Sequence, residues 1–166
     1  LTDLDAAEAL LDRDGPVDPS AAAARLADAR DQVEAAGLER LRPRLALLLA
    51  RARGATGDPE GAIAELEAAP REGPPDLAWQ RHAALARLHA QRGAAMRARR
   101  SWERAVEALE ALATGLPREH REAFWSDRRR QSARRHATGE REPGAAPIAA
   151  ADPFTDGRLA RLLEVL

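Results

Sequence analysis

The sequence predicts an all-α chain folded as a stack of antiparallel helical hairpins. Three observations predict it: a composition suited to helices, an apolar pattern that recurs at helix-face spacing, and glycine or proline at the joints between periodic stretches. Of the 166 residues 45% are hydrophobic but only 3% aromatic, and tyrosine and cysteine are absent. Strands would therefore have few of the residues they favour. The apolar content can supply the core of one domain or of a short run of repeats sharing a continuous core.

The duplicated pattern lies in GDPEGAIAELEAA, Gly57 to Ala69, and GAAMRARRSWERA, Gly93 to Ala105, which superimpose without a gap. Gly57, Ala62, Leu66 and Ala69 fall against Gly93, Ala98, Trp102 and Ala105, at intervals of five, four and three residues in both copies. Such intervals bring side chains to one face of a helix. A fainter copy, Ala22, Leu26 and Ala29, sits inside PSAAAARLADARDQVEAAG, where Pro19 suits the first helical turn and Gly37 a C-terminal stop. These stretches are read as the second helices of three hairpins.

Their first helices lie upstream. Asp3 to Arg13 precedes the faint copy, Leu38 to Arg53 the second, and Asp76 to Gln91 the third. Before the last of these, Pro74 and Pro75 break the preceding helix and Asp76 is expected to cap the new one. Connecting turns are short and contain glycine, so neighbours should be antiparallel. Small residues at Ala62 and Ala98 would let two backbones approach, while Leu66 and Trp102 fill the space toward the next hairpin.

After the third hairpin, LPREHREAFWSDRRRQSARRHA reads as one further helix, with Leu116, Ala123 and Phe124 on one side and arginines over much of the rest. The expected organisation is a helical repeat domain over 1-137 ending in this basic capping helix, a Gly, Pro and Ala linker over 138-153, and an outgoing helix over 154-166. That last stretch places Leu159, Leu162, Leu163 and Leu166 at helical spacing and is read as the start of a following domain. The opening on Leu1, with no methionine and no signal-like segment, is expected of a piece of a longer protein.

The duplicated glycine, alanine, large apolar, alanine pattern resembles the second half of tetratricopeptide repeats (TPR), whose period is about 34 residues; Gly57 and Gly93 are 36 apart. In the first halves, Leu49 with Ala50 and Leu85 with Ala86 match the family's large-then-small pair, whereas Ala46 and His82 stand where it has tryptophan, and Arg53 and His89 where it has tyrosine. The resemblance runs from Ala21 to Ala113. It implies a TPR-like α-solenoid, a right-handed superhelical stack whose first helices line a concave groove. In that register Arg44, Arg51, Gln80, Arg87 and Gln91 would form a peptide-binding groove attractive to acidic segments. The lysines and asparagines of the family's carboxylate-binding pattern are missing, so no chaperone-tail specificity carries over.

Degenerate repeats followed by LPREHREAFWSDRRR and a leucine-rich helix also resemble the region between kinase or ATPase modules and sensor modules in large bacterial regulators. These include serine/threonine kinases and alternative-sigma-factor activators, in which a similar helix often leads into a GAF sensor domain. The resemblance implies a scaffold or sensory segment of a signalling or transcription-regulatory protein, in contact with neighbouring domains of its parent chain.

A second candidate surface is the arginine-dense stretch after Leu116. Arg118, Arg121, Trp125, Arg128, Arg129 and Arg130 could dock a partner, and with Arg134, Arg135 and Phe124 they could instead suit nucleic acid. Glu119, Glu122 and Asp127 interrupt the cluster and can pair with arginines at helical spacing, each pair contributing about 0.3 to 0.5 kcal/mol. A passive spacer or self-association element is the remaining alternative. The formal net charge of -1 supplies no chain-wide argument for a polyanion or an anionic membrane.

Composition weighs against other classes. Without cysteine there is no disulfide or thiolate metal site, and no apolar run approaches the roughly 18 residues of a membrane span, so the expected location is cytoplasmic. Lysine is absent too, which rules out a G-x-x-x-x-G-K phosphate loop. His82 and His89 could share a helix face but are two turns apart and lack further donors, so no metal is expected there or at His120 and His136. Glu65 with Glu67, and Asp3 with Asp5, point to different helix faces, and no serine lies in a nucleophile-elbow context. The chain is read as non-enzymatic and without a cofactor.

Overall fold

The computed structural model describes residues 19–139, which hold seven α-helices, a short 3-10 turn at Glu39–Leu41 and no strand. The helices are α1 (Pro19–Ala35), α2 (Arg42–Ala55), α3 (Pro59–Ala68), α4 (Pro75–Gln91), α5 (Ala95–Thr114), α6 (Arg118–Ser126) and α7 (Arg128–Thr138). The all-α expectation holds for these residues. The helix expected at Asp3 to Arg13, the linker beyond Gly139 and the leucine-rich stretch 154–166 lie outside the described residues. None of the described helices is long and apolar enough to cross a membrane.

The joints repeat one device. After α1, α2 and α4 the chain turns on Gly37, Gly57 and Gly93, with φ of 62°, 86° and 70°. In each case the following residue's N–H reaches five residues back: Leu38 to Val33, Asp58 to Arg53 and Ala94 to His89, at 3.0, 2.9 and 2.8 Å. These bonds satisfy carbonyls that a helix end would leave open. Asp58 then starts α3, its carboxylate accepting from the Gly61 N–H at 2.8 Å, with Pro59 in the first turn. At Gly93 the strain of a side chain would be purely backbone, since a Cβ there meets nothing within 4 Å. Gly93→Ala is therefore expected to lower the unfolding free energy by about 1 to 2 kcal/mol, read as a lowered melting temperature; an unchanged melt would refute it.

Each of α1 to α4 packs on the next helix in the chain, and α2 also reaches α4. The buried side chains form three successive clusters. Leu26, Ala29 and Val33 of α1 meet Leu45, Leu48, Leu49 and Ala52 of α2. Leu47 and Ala50 of α2 then meet Ala62, Ile63 and Leu66 of α3 and Ala84 and Leu88 of α4. Trp79, Ala83 and Ala86 of α4 join Trp102, Ala105 and Leu109 of α5 and Ala133 of α7. One helix serves two clusters because α2 is buried continuously from Leu45 to Ala50. The small residues at Ala62, Ala98 and Ala105 are buried as the duplicated pattern predicts, and so are Leu66 and Trp102; Ala69, the match of Ala105, departs from it, half-buried in extended backbone just past the end of α3.

Two local expectations are corrected. The basic cap is two helices, because Asp127 adopts extended backbone (φ −61°, ψ 124°) and caps α7 through the N–H groups of Arg129 and Arg130. An N-capping residue inside the arginine run satisfies two donors of a new helix, which favours a break over continuation. It is α7 that packs on α5. Asp76, expected as a cap, instead lies in the first turn of α4, whose N-terminal flank is Pro74. Its carboxylate accepts from the Trp79 indole N–H at 2.8 Å and the Gln80 amide at 2.6 Å.

Candidate functional site

A cleft of about 250 Å³ opens between α2, α4 and the start of α7. Leu47 and Arg51 line it from α2, Trp79, Gln80, Ala83, Ala84 and Arg87 from α4, and Arg129 from α7. Three of the five residues expected in the groove, Arg51, Gln80 and Arg87, thus come together. Arg44, half-buried on α2, and Gln91, exposed at the end of α4, do not line this cleft.

The cleft is held by side chains that are themselves held. Trp79 is 5% exposed and fixed by Asp76, which also orients Gln80. The Arg87 guanidinium lies over the Trp102 ring, 5.4 Å from its centroid, an arrangement in which the ring face attracts the cation. Part of the Arg87 side chain faces solvent, yet its guanidinium is held below its ordinary pKa by lost solvation and, second, by the like charge of Arg51. Arginine starts so high that it remains a cation at neutral pH. With three cations, one amide and an apolar floor of Leu47, Ala83 and Ala84, the cleft can take an anionic group beside a small apolar one.

The arginine-rich cap divides by role. Arg121 donates to the carbonyls of Leu116 and Thr114 at 3.1 and 3.2 Å, closing the end of α5. Arg130 donates to the Phe124 carbonyl at 3.0 Å, lies 4.0 Å from that ring's centroid and reaches within 4.0 Å of Asp76. Arg134 lies over Trp125, which meets Phe124 edge-on. These guanidiniums hold α6 and α7 together and to α4 and α5. Arg118 and Arg128 remain exposed, and Arg129, paired loosely with Asp127 at 3.9 Å, belongs to the cleft.

His82 is half-buried in a second cleft of about 810 Å³ with Glu67, Arg71, Arg81, Arg104 and Glu107. Burial, then Arg104 and Arg81, depress its pKa. Its mixed lining includes Arg81, which donates to the carbonyls of Leu66 and Pro70 at the end of α3. His89 is 8% exposed with its Nδ1 unpartnered, and burial also lowers its pKa. His136 stacks on Trp102 with centroids 4.7 Å apart. Among the described residues no group of three His, Cys, Asp or Glu side chains is placed to hold a metal.

Arg129, which the sequence assigns to the cap, lines the same cleft as Arg51, Gln80 and Arg87. The available signal was Asp127, a capping residue type inside a basic run, because a helix beginning there presents Arg129 in its first turn. Nothing local indicated that this turn would face α2 and α4. No protein-family model, no curated protein and no solved structure matches the chain.

Proposed function

We propose that the chain is a non-enzymatic protein-interaction module, a TPR-like stack of hairpins that holds an acidic segment of a partner protein. In this reading it is a scaffold or regulatory segment of a larger bacterial signalling or transcription-regulatory protein. The observation that carries the binding reading is the convergence of Arg51, Gln80, Arg87 and Arg129 on one cleft. A guanidinium matches carboxylate geometry with paired donors, so several on one pocket favour an acidic ligand. Support for the repeat architecture comes from the duplicated pattern, the recurring glycine joints and the reach of α2 to α4 across the intervening α3. Helix stacks of this kind bury a core between neighbours and leave extended faces for partners.

The test is affinity capture from a bacterial lysate with the chain as bait, beside an Arg51→Ala, Arg87→Ala, Arg129→Ala variant whose helicity is verified by circular dichroism. A specific protein captured by the wild type and lost from the variant is the expected result. Equal capture by both would place the working surface elsewhere, and absence of any specific partner would overturn the reading.

A further inference from the structure

We propose that the cleft receives a phosphorylated serine or threonine side chain of the partner, between Arg51 of α2, Arg87 of α4 and Arg129 of α7. This inference rests on the binding reading above and narrows its ligand.

Charge is the first argument. Three guanidiniums line the cleft, and among its described lining residues none is a carboxylate; Asp127 pairs loosely with Arg129 from outside it. One carboxylate brings a single negative charge, whereas a phosphoryl group carries about 1.5 to 2 at pH 7 and three acceptor oxygens. Three arginines from three helices can approach such a group from different sides, and each offers the planar fork that suits phosphate. The N–H groups of Arg129 and Arg130 are already held by Asp127, so recognition is assigned to the guanidiniums.

Size and apolarity narrow the ligand further. At about 250 Å³ the cleft is smaller than the roughly 300 to 1,000 Å³ that encloses a drug-sized molecule, so it suits one side chain rather than a nucleotide. Leu47, Ala83 and Ala84 supply an apolar floor for the methylene or methyl beside the phosphate ester. Arg87 is steadied against Trp102, and Gln80 is oriented by Asp76, so part of the ordering that binding requires is already present.

The probe is a pool of fluorescent peptides with a central phosphoserine or phosphothreonine and degenerate flanks, titrated against the chain by polarisation. Matched pools carry serine or threonine, or glutamate, at the centre. The phosphorylated pool is expected to bind at least about tenfold more tightly than either. Arg87→Gln and Arg129→Gln should each weaken it about tenfold, from the lost charge-assisted bonds. Arg118→Gln, exposed on α6 and outside the cleft, should leave it unchanged. Arg129 is at the surface, so its variant keeps the test open even if Arg87→Gln perturbs packing. Equal affinity for the glutamate pool would overturn the phosphate assignment and leave the acidic-partner reading standing. So would a lysate partner whose arginine-dependent capture survives phosphatase treatment. No binding of the phosphorylated pool, or binding indifferent to both cleft variants, would also overturn it.

Discussion

Trp102→Ala is expected to lower the unfolding free energy by about 3 to 5 kcal/mol, the range for removing a large buried aromatic side chain. Trp102 is 6% exposed and sits where α4, α5 and α7 meet, in the cluster with Trp79, Ala83, Leu109 and Ala133. Its ring also bears the Arg87 guanidinium and the stacked His136. The loss would be a large share of the roughly 5 to 15 kcal/mol that holds a typical domain folded. Trp102→Phe should retain more of that stability, because a ring remains to fill the space. Urea denaturation followed by circular dichroism measures both. A loss below about 1 kcal/mol for the alanine variant would mean that α7 and α5 are held together by other contacts. The same substitution should weaken ligand binding at the cleft through Arg87, which distinguishes Trp102 from core positions that touch no cleft residue.

Acid is expected to destabilise the fold before its carboxylates titrate. His89 is buried with an unpartnered Nδ1, close to Arg97 and Arg92, with Glu67 as the opposing charge. Both His89 and His82 have pKa values depressed below 6.5, chiefly by burial and next by arginine, Arg97 for His89 and Arg104 for His82. The unfolded chain therefore binds protons at these rings more readily than the folded chain does. Stability is fully present above about pH 6.5 and declines as pH falls from there through the lowered folded values. The urea midpoint should fall between pH 7.5 and pH 5, and His89→Leu should make it fall less steeply. A midpoint independent of pH over that interval, or an identical slope in the variant, would show that neither ring carries the effect. Any acid loss that remains in His89→Leu is expected to diminish further with His82→Asn.

Much of the architecture was legible because its signals are local. Gly37, Gly57 and Gly93 mark helix ends by their left-handed φ, Pro19, Pro59 and Pro75 mark starts, and the shared alanine and large apolar spacing marks the buried face. These features act within one or two turns of the chain, so a reading of neighbours suffices. The same locality misled at two places. Asp76 resembles a cap, but its carboxylate is taken by Trp79 and Gln80; Asp127 resembles a pairing partner within a basic helix, yet it starts a new one.

The candidate site was legible only in part. Arg51, Gln80 and Arg87 follow from helix register on α2 and α4, and the cleft brings them together; Arg44 and Gln91 share that register reasoning but stand apart from it. Among the cap arginines, composition cannot tell Arg121 and Arg130, spent on carbonyls of α5 and α6, from Arg129, turned to the cleft. A helical chain with defined joints and a repeated buried face follows from local sequence, because capping and periodicity are short-range. Which cations face one another is set by packing, because it depends on how the break at Asp127 sets α7 against α5. A guanidinium's partner is chosen through space, and spacing along the chain does not encode it.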